Sequence, residues 1–295
     1  DIGADDQGCV VIRKTRQQNR SWHIAHDLAC QNCSDCLMSG HNTAEKMAEL
    51  GFMGINVPEE YGGAGMDEVS KALVIMEIAK VDASVAELLA VHTLTNDIFL
   101  KRGTEEQKKK YLALGASGKV GAFALTEPGA GSDASAAKTK AISDGDDYII
   151  NGTKCFISNM GPEEGDYVVL IALTDPSAGT KGMSAIVVDR NTPGFSVGKL
   201  ENKMGLRGAN VSELIFQDCR VPKSNLLGKE GEGFKIAMAA LDGGRIGMAS
   251  QAVGIAEGAI DLAVAYAKER VQFKKPISAN QGIQWYFADI ATSTE

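Results

Sequence analysis

The sequence predicts an α+β chain in three parts: an N-terminal helical bundle, a middle β-barrel or sandwich, and the incomplete start of a C-terminal helical domain. Three observations carry the prediction. Residues 43–118 break into amphipathic segments that open on capping signals. Residues 119–229 break into short runs rich in β-branched residues, separated by turn residues. From residue 230 to 295 a long glycine-studded helical pattern takes over, with a second helical pattern behind it. Residues 1–42 fit none of the three and form an atypical segment of unknown fold.

Length and composition narrow the class. A chain of 295 residues, 44% hydrophobic and 23% charged, has the balance of a globular protein with one large or two to three small domains. The net charge of −8 excludes a general nucleic-acid binder. No apolar run reaches the length of a membrane span, and the acidic opening Asp1 to Gly8, followed by a basic polar stretch, is not a secretory signal. Six cysteines in a chain of this length do not make a disulfide framework, so a reducing compartment is expected.

The first 42 residues hold four of the six cysteines and three of the four histidines. Cys30, Cys33 and Cys36 have a C-x2-C-x2-C spacing that can ligate zinc or an iron–sulfur cluster, with His41 available as a fourth ligand. A zinc site needs a second ligand pair and a ferredoxin run ends in Cys-Pro. Neither follows, so no metal is expected.

Asn42-Thr43-Ala44-Glu45 has capping-box form and opens a short helix that stops at Gly51. Pro58 to Gly65 reads as a loop. The next helix sets Val69, Leu73, Met76 and Ala79 on one face. Ser84-Val85-Ala86-Glu87 caps another, with Leu88, Val91 and Ile98 inward and Gly103 beyond its end. Thr104-Glu105-Glu106-Gln107 caps a third, which carries the solvated run Lys108-Lys109-Lys110. These stripes read as the core of a small bundle.

In the middle region, Asp147 to Ile150, Asn151-Gly152 and Thr153 to Phe156 read as a hairpin with a type I′ turn. Tyr167 to Leu173 reads as a buried strand, and Met183 to Val188 and Glu213 to Phe216 as two more. The helix from Gly231 has the stripe Phe234, Met238, Leu241, Met248 and Ile255. It also carries Gly243, Gly244, Gly247, Gly254 and Gly258, each costing roughly 1 kcal/mol against alanine in a helix interior. That many glycines imply close approach by another helix or by a ligand.

The stretch richest in chemistry is Ala124-Leu125-Thr126-Glu127-Pro128-Gly129-Ala130-Gly131-Ser132-Asp133, which follows the strand-like run Val120-Gly121-Ala122-Phe123. Pro128 fixes φ. Gly129 and Gly131 permit conformations closed to other residues and a close approach to another surface. Free backbone N–H groups in such a turn make an anion nest, and the Thr126 and Ser132 hydroxyls add donors beside it. The combination suits a ligand with a polar ring and a phosphate, such as a flavin dinucleotide. An ordinary polar loop between strands is the other reading. The ten residues resemble, without a gap, the flavin loop of the acyl-CoA dehydrogenase family. The resemblance runs from about Thr43 to the last residue and is closest to the short-chain, butyryl-CoA type.

The resemblance implies FAD as cofactor and a set of residues for it. Phe123, Leu125 and Thr126 would lie against the flavin pyrimidine edge, with backbone N–H groups and the Thr126 hydroxyl on its O2 and N1 region. Gly131 and Ser132 would hold the pyrophosphate, with Ser132 also near substrate. Phe156-Ile157-Ser158 matches the family's Trp/Phe-Ile-Thr/Ser segment: Phe156 would pack on the flavin and Ser158 would reach N5. Arg270 and Phe273, with Gln281 following, resemble the segment that holds the ADP half across a subunit interface. Asp242 and Arg245 in Leu241-Asp242-Gly243-Gly244-Arg245 would contact the CoA portion, although the same pair can be an i,i+3 ion pair on a helix surface.

The implied reaction is α,β-dehydrogenation of a short-chain acyl-CoA, or the reverse enoyl-CoA reduction, with electrons passed to an electron-transfer flavoprotein. The resemblance also implies a homo-oligomer, a homotetramer in relatives, in a bacterial cytoplasm or a mitochondrial matrix. No catalytic residue is assigned. The isovaleryl type carries its catalytic Glu where Gly244 stands here, and in the butyryl type the base lies past residue 295. These 295 residues alone are therefore expected to bind FAD weakly and not to bleach it with butyryl-CoA. Relatives have a helical segment without cysteines in place of residues 1–42, which suggests an upstream frameshift, a wrong start or a gene fragment. Two other readings stay open: a flavin oxidase or monooxygenase on the same scaffold, and a catalytically inactive fragment or assembly protein of the family.

Overall fold

The computed structural model describes residues 2–4, 10–12, 40–162 and 164–295. The cluster of Cys30, Cys33 and Cys36 lies outside them, as does the His41 side chain. Two short strands, β1 (Ile2–Ala4) and β2 (Val10–Ile12), pair antiparallel. Four helices follow: α1 (Gly40–Glu49), α2 (Glu68–Ala79), α3 (Ala83–Arg102) and α4 (Glu105–Ala116).

The capping signals divide into one that acts as read and two that do not. Thr104 and Gln107 form a complete capping box at the start of α4. At α3 the cap is Asp82 rather than Ser84, because its carboxylate accepts the N–H groups of Ser84 (2.7 Å) and Val85 (3.2 Å). At α1 the helix begins at Gly40, so Asn42 and Thr43 lie inside it. The apolar stripe expected on α2 is also displaced. Val69 and Leu73 are exposed, and the buried face is Lys71, Val74, Ile75, Ile78 and Ala79. Lys71 is accommodated in this packed face because its ammonium reaches Asp97 of α3 at 2.9 Å.

The middle of the chain builds one eight-stranded sheet from β3 (Gly121–Ala124), β4 (Lys140–Asp144), β5 (Asp147–Ser158), β6 (Tyr167–Leu173), β7 (Met183–Asp189), β8 (Phe195–Leu200), β9 (Val211–Pro222) and β10 (Leu226–Leu227). The strand order is β10-β7-β6-β4-β5-β9-β8, and β3 pairs parallel with β6. Side chains alternate across a strand, so β6 serves two cores. Tyr167, Val169, Ile171 and Leu173 face the helices, where they meet Phe99, Tyr111 and Ile236. Val168, Leu170 and Ala172 face the other way, toward Tyr148, Ile150, Leu214 and Phe216.

The hairpin predicted at Asn151-Gly152 is not there. β5 runs straight through both residues, and the turn falls before β5 begins, at Gly145-Asp146 between the paired Asp144 and Asp147, where Gly145 takes φ +61°. Gly152 serves a different need. A Cβ there would sit 2.5 Å from Thr139 Oγ1, so a side chain has no room, and a bulge marks the site in the β5–β9 pairing.

Helix α5 (Gly233–Glu269) is about 55 Å long at 1.5 Å per residue. It is followed by the ribbon β11 (Val271–Gln272) and β12 (Lys275–Pro276) and by α6 (Gln281–Thr294). Its glycines do permit close approach: Cβ atoms at Gly254 and Gly258 would lie 2.2 Å from Met76 O and 2.3 Å from Lys80 O. The buried face is therefore small residues, including Ala237, Ala240, Gly247, Gly254 and Gly258, while Met248 and Ile255 of the expected stripe are exposed. An 18-residue window of α5 has the length and hydropathy (1.2) of a membrane span, a point the sequence reading missed, yet the helix lies along α2 and α3.

Candidate functional site

The candidate site is built where β3 hands over to its loop. The Gly121 N–H donates to His92 Nδ1 at 3.1 Å, which docks the start of β3 on α3. His92 is fully buried and its Nε2 faces Met53 O at 3.1 Å. Burial holds its pKa down to about 4, so the ring is neutral, with Nδ1 as acceptor and Nε2–H as donor.

Beyond β3 the loop is tied to β5 at two successive peptides. The Leu125 carbonyl accepts from Lys154 Nζ at 2.8 Å, and the Thr126 carbonyl accepts from the Cys155 N–H at 3.0 Å. Glu127 and Ala130 then close a tight turn on Pro128-Gly129 by exchanging N–H···O bonds of 3.1 and 3.0 Å. The Glu127 carboxylate takes the N–H groups of Lys138 (2.7 Å) and Thr139 (3.0 Å) and the Lys154 ammonium (2.8 Å). Burial works against its ionised form, but the bond and charge of Lys154 outweigh that and hold its pKa below the usual carboxylate range. Burial likewise pushes the Lys154 ammonium down, with Glu127 opposing.

Just past Lys154 the strand bulges. Pairing with β9 is lost between Lys154 and Ile157, and Phe156 sits there at φ +57° with 64% of its surface exposed. A non-glycine residue in this region carries strain of about 1–3 kcal/mol and is characteristic of ligand clamps. Ile157 returns to the core, and Ser158 Oγ lies 3.4 Å from Glu87 Oε1 of α3. Asn159, at φ +65°, ends the strand by donating to Leu88 O (3.0 Å) and Gly121 O (3.3 Å). The loop and the Phe156-Ile157-Ser158 segment, about 30 residues apart in sequence, thus form one surface.

Family profiles match three consecutive stretches of this chain: the acyl-CoA dehydrogenase N-terminal domain at residues 34–119, the middle domain at 122–219 and the C-terminal domain at 231–295. The chain belongs to the acyl-CoA dehydrogenase family. It is 56% identical over 253 residues to the acryloyl-CoA reductase (NADH) of Anaerotignum propionicum, covering 85% of this chain and 64% of that protein. It is 56% identical over 254 residues to an acyl-CoA dehydrogenase of Bacillus subtilis, covering 85% and 66%. Among solved structures, butyryl-CoA dehydrogenase from Megasphaera elsdenii superposes with a TM-score of 0.82 at 45% identity, over 86% of this chain and 67% of that one. A chain from the structure of the electron transferring flavoprotein of Acidaminococcus fermentans, a study of flavin-based electron bifurcation, gives 0.83 at 53% identity with the same coverage. This chain spans just under two thirds of the length of the curated relatives it matches, at 64% and 66%.

Within this family member the predicted site residues fall into three groups. Leu125 and Thr126 are tied to β5 beside Phe156, Ile157 and Ser158 as described, Phe123 stands on β3 opposite Val169 of β6, and Gly131 and Ser132 lie exposed on the same loop as Thr126. Gly129 and Gly131 do not adopt the special backbone conformations expected of them, since neither has a positive φ, but a Cβ on either would meet no other part of the chain. The second group is Asp242 and Arg245, which form an exposed i,i+3 ion pair of 3.2 Å on α5. The third is Arg270, Phe273 and Gln281, exposed at the far end of α5 and on the elements packed against it. Nothing among the described residues joins this third group to the first.

Sequence reasoning missed Lys154, Glu87, His92 and Asn159, and it set Glu127 aside. Lys154 had a readable signal. It follows Tyr148 and Ile150 at even positions of one strand, both buried, so it too turns inward and requires a partner.

Proposed function

We propose that this chain forms the cofactor-binding part of an FAD-dependent enzyme that removes the α- and β-hydrogens of short-chain acyl-CoA thioesters, or adds them to the enoyl-CoA, and exchanges electrons with an electron-transfer flavoprotein. The observation that carries the reading is Phe156, held exposed at φ +57° and joined through the Cys155 N–H to Thr126 of the flavin-loop sequence. The residues fit the cofactor. The Thr126 N–H and hydroxyl have no hydrogen-bond partner among the described residues, and the space over Gly129 and Gly131 is open. A solved acyl-CoA dehydrogenase from Bacillus anthracis, 38% identical with a TM-score of 0.79, is complexed with FAD.

FAD, when bound, supplies the acceptor for the electron pair and hydrogen removed at Cβ. The chain's part is to bind and orient. The Thr126 donors stabilise negative charge on the pyrimidine side. Phe156 covers the ring and excludes water, and the Ser158 hydroxyl is the donor nearest it in sequence. Gly131 and Ser132 cradle the pyrophosphate. Arg245, exposed beside Asp242, meets the phosphates of CoA. Arg270, Phe273 and Gln281 serve the ADP half of a cofactor held by a neighbouring subunit, which makes the working form a homo-oligomer. Glu127 is not the base, being committed to Lys154 and two backbone amides. Nor does position 244 supply one: it is glycine, and a Cβ there would meet Leu94 at 2.8 Å. A cytoplasmic location, or the mitochondrial matrix in a eukaryote, accompanies this reading.

The kinship with an acryloyl-CoA reductase at 56% identity supports the reductive direction as a second reading. Both are tested on the chain joined to the C-terminal segment of a short-chain relative. Under anaerobic conditions butyryl-CoA should bleach the bound flavin, and crotonyl-CoA should restore the colour of dithionite-reduced protein. Protein that retains FAD yet responds to neither acyl-CoA overturns the proposal. Rapid reoxidation by oxygen in place of these responses would make it an oxidase.

A further inference from the structure

Lys154 is fully buried in the middle of β5, and its ammonium has two contacts: the Glu127 carboxylate and the Leu125 carbonyl, each at 2.8 Å. Glu127 in turn takes the N–H groups of Lys138 and Thr139. Together the two side chains hold both ends of the loop from Leu125 to Thr139. A buried ion pair is not by itself a good stabilising device, because desolvation of the two charges offsets their attraction. Its placement on a backbone carbonyl is what gives this pair a use.

A trans peptide is planar, with its C=O and N–H on opposite sides. Since the Leu125 oxygen is drawn inward to the ammonium, the N–H of Thr126 is turned away from β5, and it has no partner among the described residues. The next peptide is held by the same strand through Cys155 N–H to Thr126 O. An ammonium on the Leu125 oxygen in a dry interior also polarises that peptide and strengthens its N–H as a donor.

We propose that Lys154, seated by Glu127, is a positioning residue that aims the Thr126 amide into the flavin site and favours the reduced form of the cofactor over the oxidised one. The inference rests on the FAD reading above. A pair that merely held the loop would support both redox forms equally. A pair that aims one donor at the edge where negative charge accumulates supports the reduced form more.

The test is the affinity of the chain, joined to the C-terminal segment of a short-chain relative, for oxidised FAD and, anaerobically, for dithionite-reduced FAD, measured by titration for the natural sequence, Lys154→Met and the double variant Lys154→Met/Glu127→Gln. The double variant is included because Lys154→Met alone leaves a buried carboxylate unpaired, which can unfold a chain. The neutral amide introduced by Glu127→Gln removes that charge and keeps an acceptor oxygen for one of the two backbone N–H groups, which bond to different carboxylate oxygens. In both variants the preference for reduced over oxidised FAD should fall about tenfold, equivalent to about 30 mV for a two-electron couple. A double variant that is folded by its melting curve and keeps the natural preference overturns the proposal, and so does equal weakening of both forms. An extended chain of natural sequence that takes up neither form of FAD overturns the function proposed above, and this inference with it.

Discussion

The sheet around Thr126 and the helical arm beyond Gly258 hold their side chains in opposite ways. Every residue of β6 from Tyr167 to Leu173 is buried, and no residue of α6 is. In the sheet the exposed Phe156 is held by a bulge whose neighbours, Lys154, Cys155 and Ile157, are all buried. On the arm Phe273 is 95% exposed, and Tyr266, Val271, Trp285, Tyr286 and Ile290 are exposed with it. Six exposed apolar side chains on one arm are more than the singly scattered ones of an ordinary surface. The difference teaches that the ring end of the proposed site is preorganised within one chain. The residues proposed for the ADP end sit on an exposed surface, which on the reading proposed above a second chain completes.

The comparison can be broken first at the helix that connects the two regions. Gly254→Val places a side chain against Met76 O, where a backbone carbonyl cannot give way. The expected cost is about 3 kcal/mol in urea unfolding, and an unchanged midpoint would mean that α5 does not lie on α2 as closely as described. The seam between bundle and sheet offers a test of similar size through pH. His92 is neutral in the fold with its pKa near 4, against 6.5 unperturbed, so the unfolded chain binds its proton more readily. Stability from this group is full above about pH 6.5 and is lost as pH falls toward 4, by up to about 3 kcal/mol. His92→Gln should remove that dependence, and a variant that keeps the natural acid profile would assign it to other groups.

Gly131→Val sharpens the comparison from the sheet side. Because a Cβ there meets nothing in the chain, the variant should fold with its stability within about 0.5 kcal/mol of the natural protein. It should bind FAD at least about 100-fold more weakly, a loss of about 2.7 kcal/mol, because a branched side chain fills the space proposed for the pyrophosphate. A variant that retains one FAD per chain would remove Gly131 from the site. Ser158→Ala should leave FAD bound and slow its reduction by acyl-CoA about tenfold, roughly 1.4 kcal/mol. An unchanged stopped-flow rate would leave Ser158 as a partner of Glu87 alone. The smallest effect belongs to the arm. Phe273→Ser should change the thermal stability of the single chain by less than about 0.5 kcal/mol. A larger loss would show that Phe273 is packed within its own chain.

Local signals acted where their partners were also local. Thr104 and Gln107 cap α4 as their spacing requires, the apolar run Tyr167 to Leu173 is a fully buried strand, and the helix–sheet–helix order follows the change of hydrophobic period at residues 119 and 230. The resemblance to the acyl-CoA dehydrogenase family was legible for the same reason, since ten adjacent residues carry its most specific part. What tertiary structure decided was every choice between equivalent local options. Asp144-Gly145 and Asn151-Gly152 are both turn signals, yet the chain turns at the first and runs straight through the second, where Gly152 packs against Thr139. Both faces of α2 carry apolar residues, and the one that is buried brings Lys71 onto Asp97 of α3. Phe156 and Lys154 are two residues apart on one strand, yet one is held out to solvent at positive φ and the other is sealed inside on Glu127 and the Leu125 carbonyl. Capping groups and strand periodicity act within a few residues. The partners that settled these choices lie between 13 and 29 positions away in sequence, where only the folded chain brings them into contact.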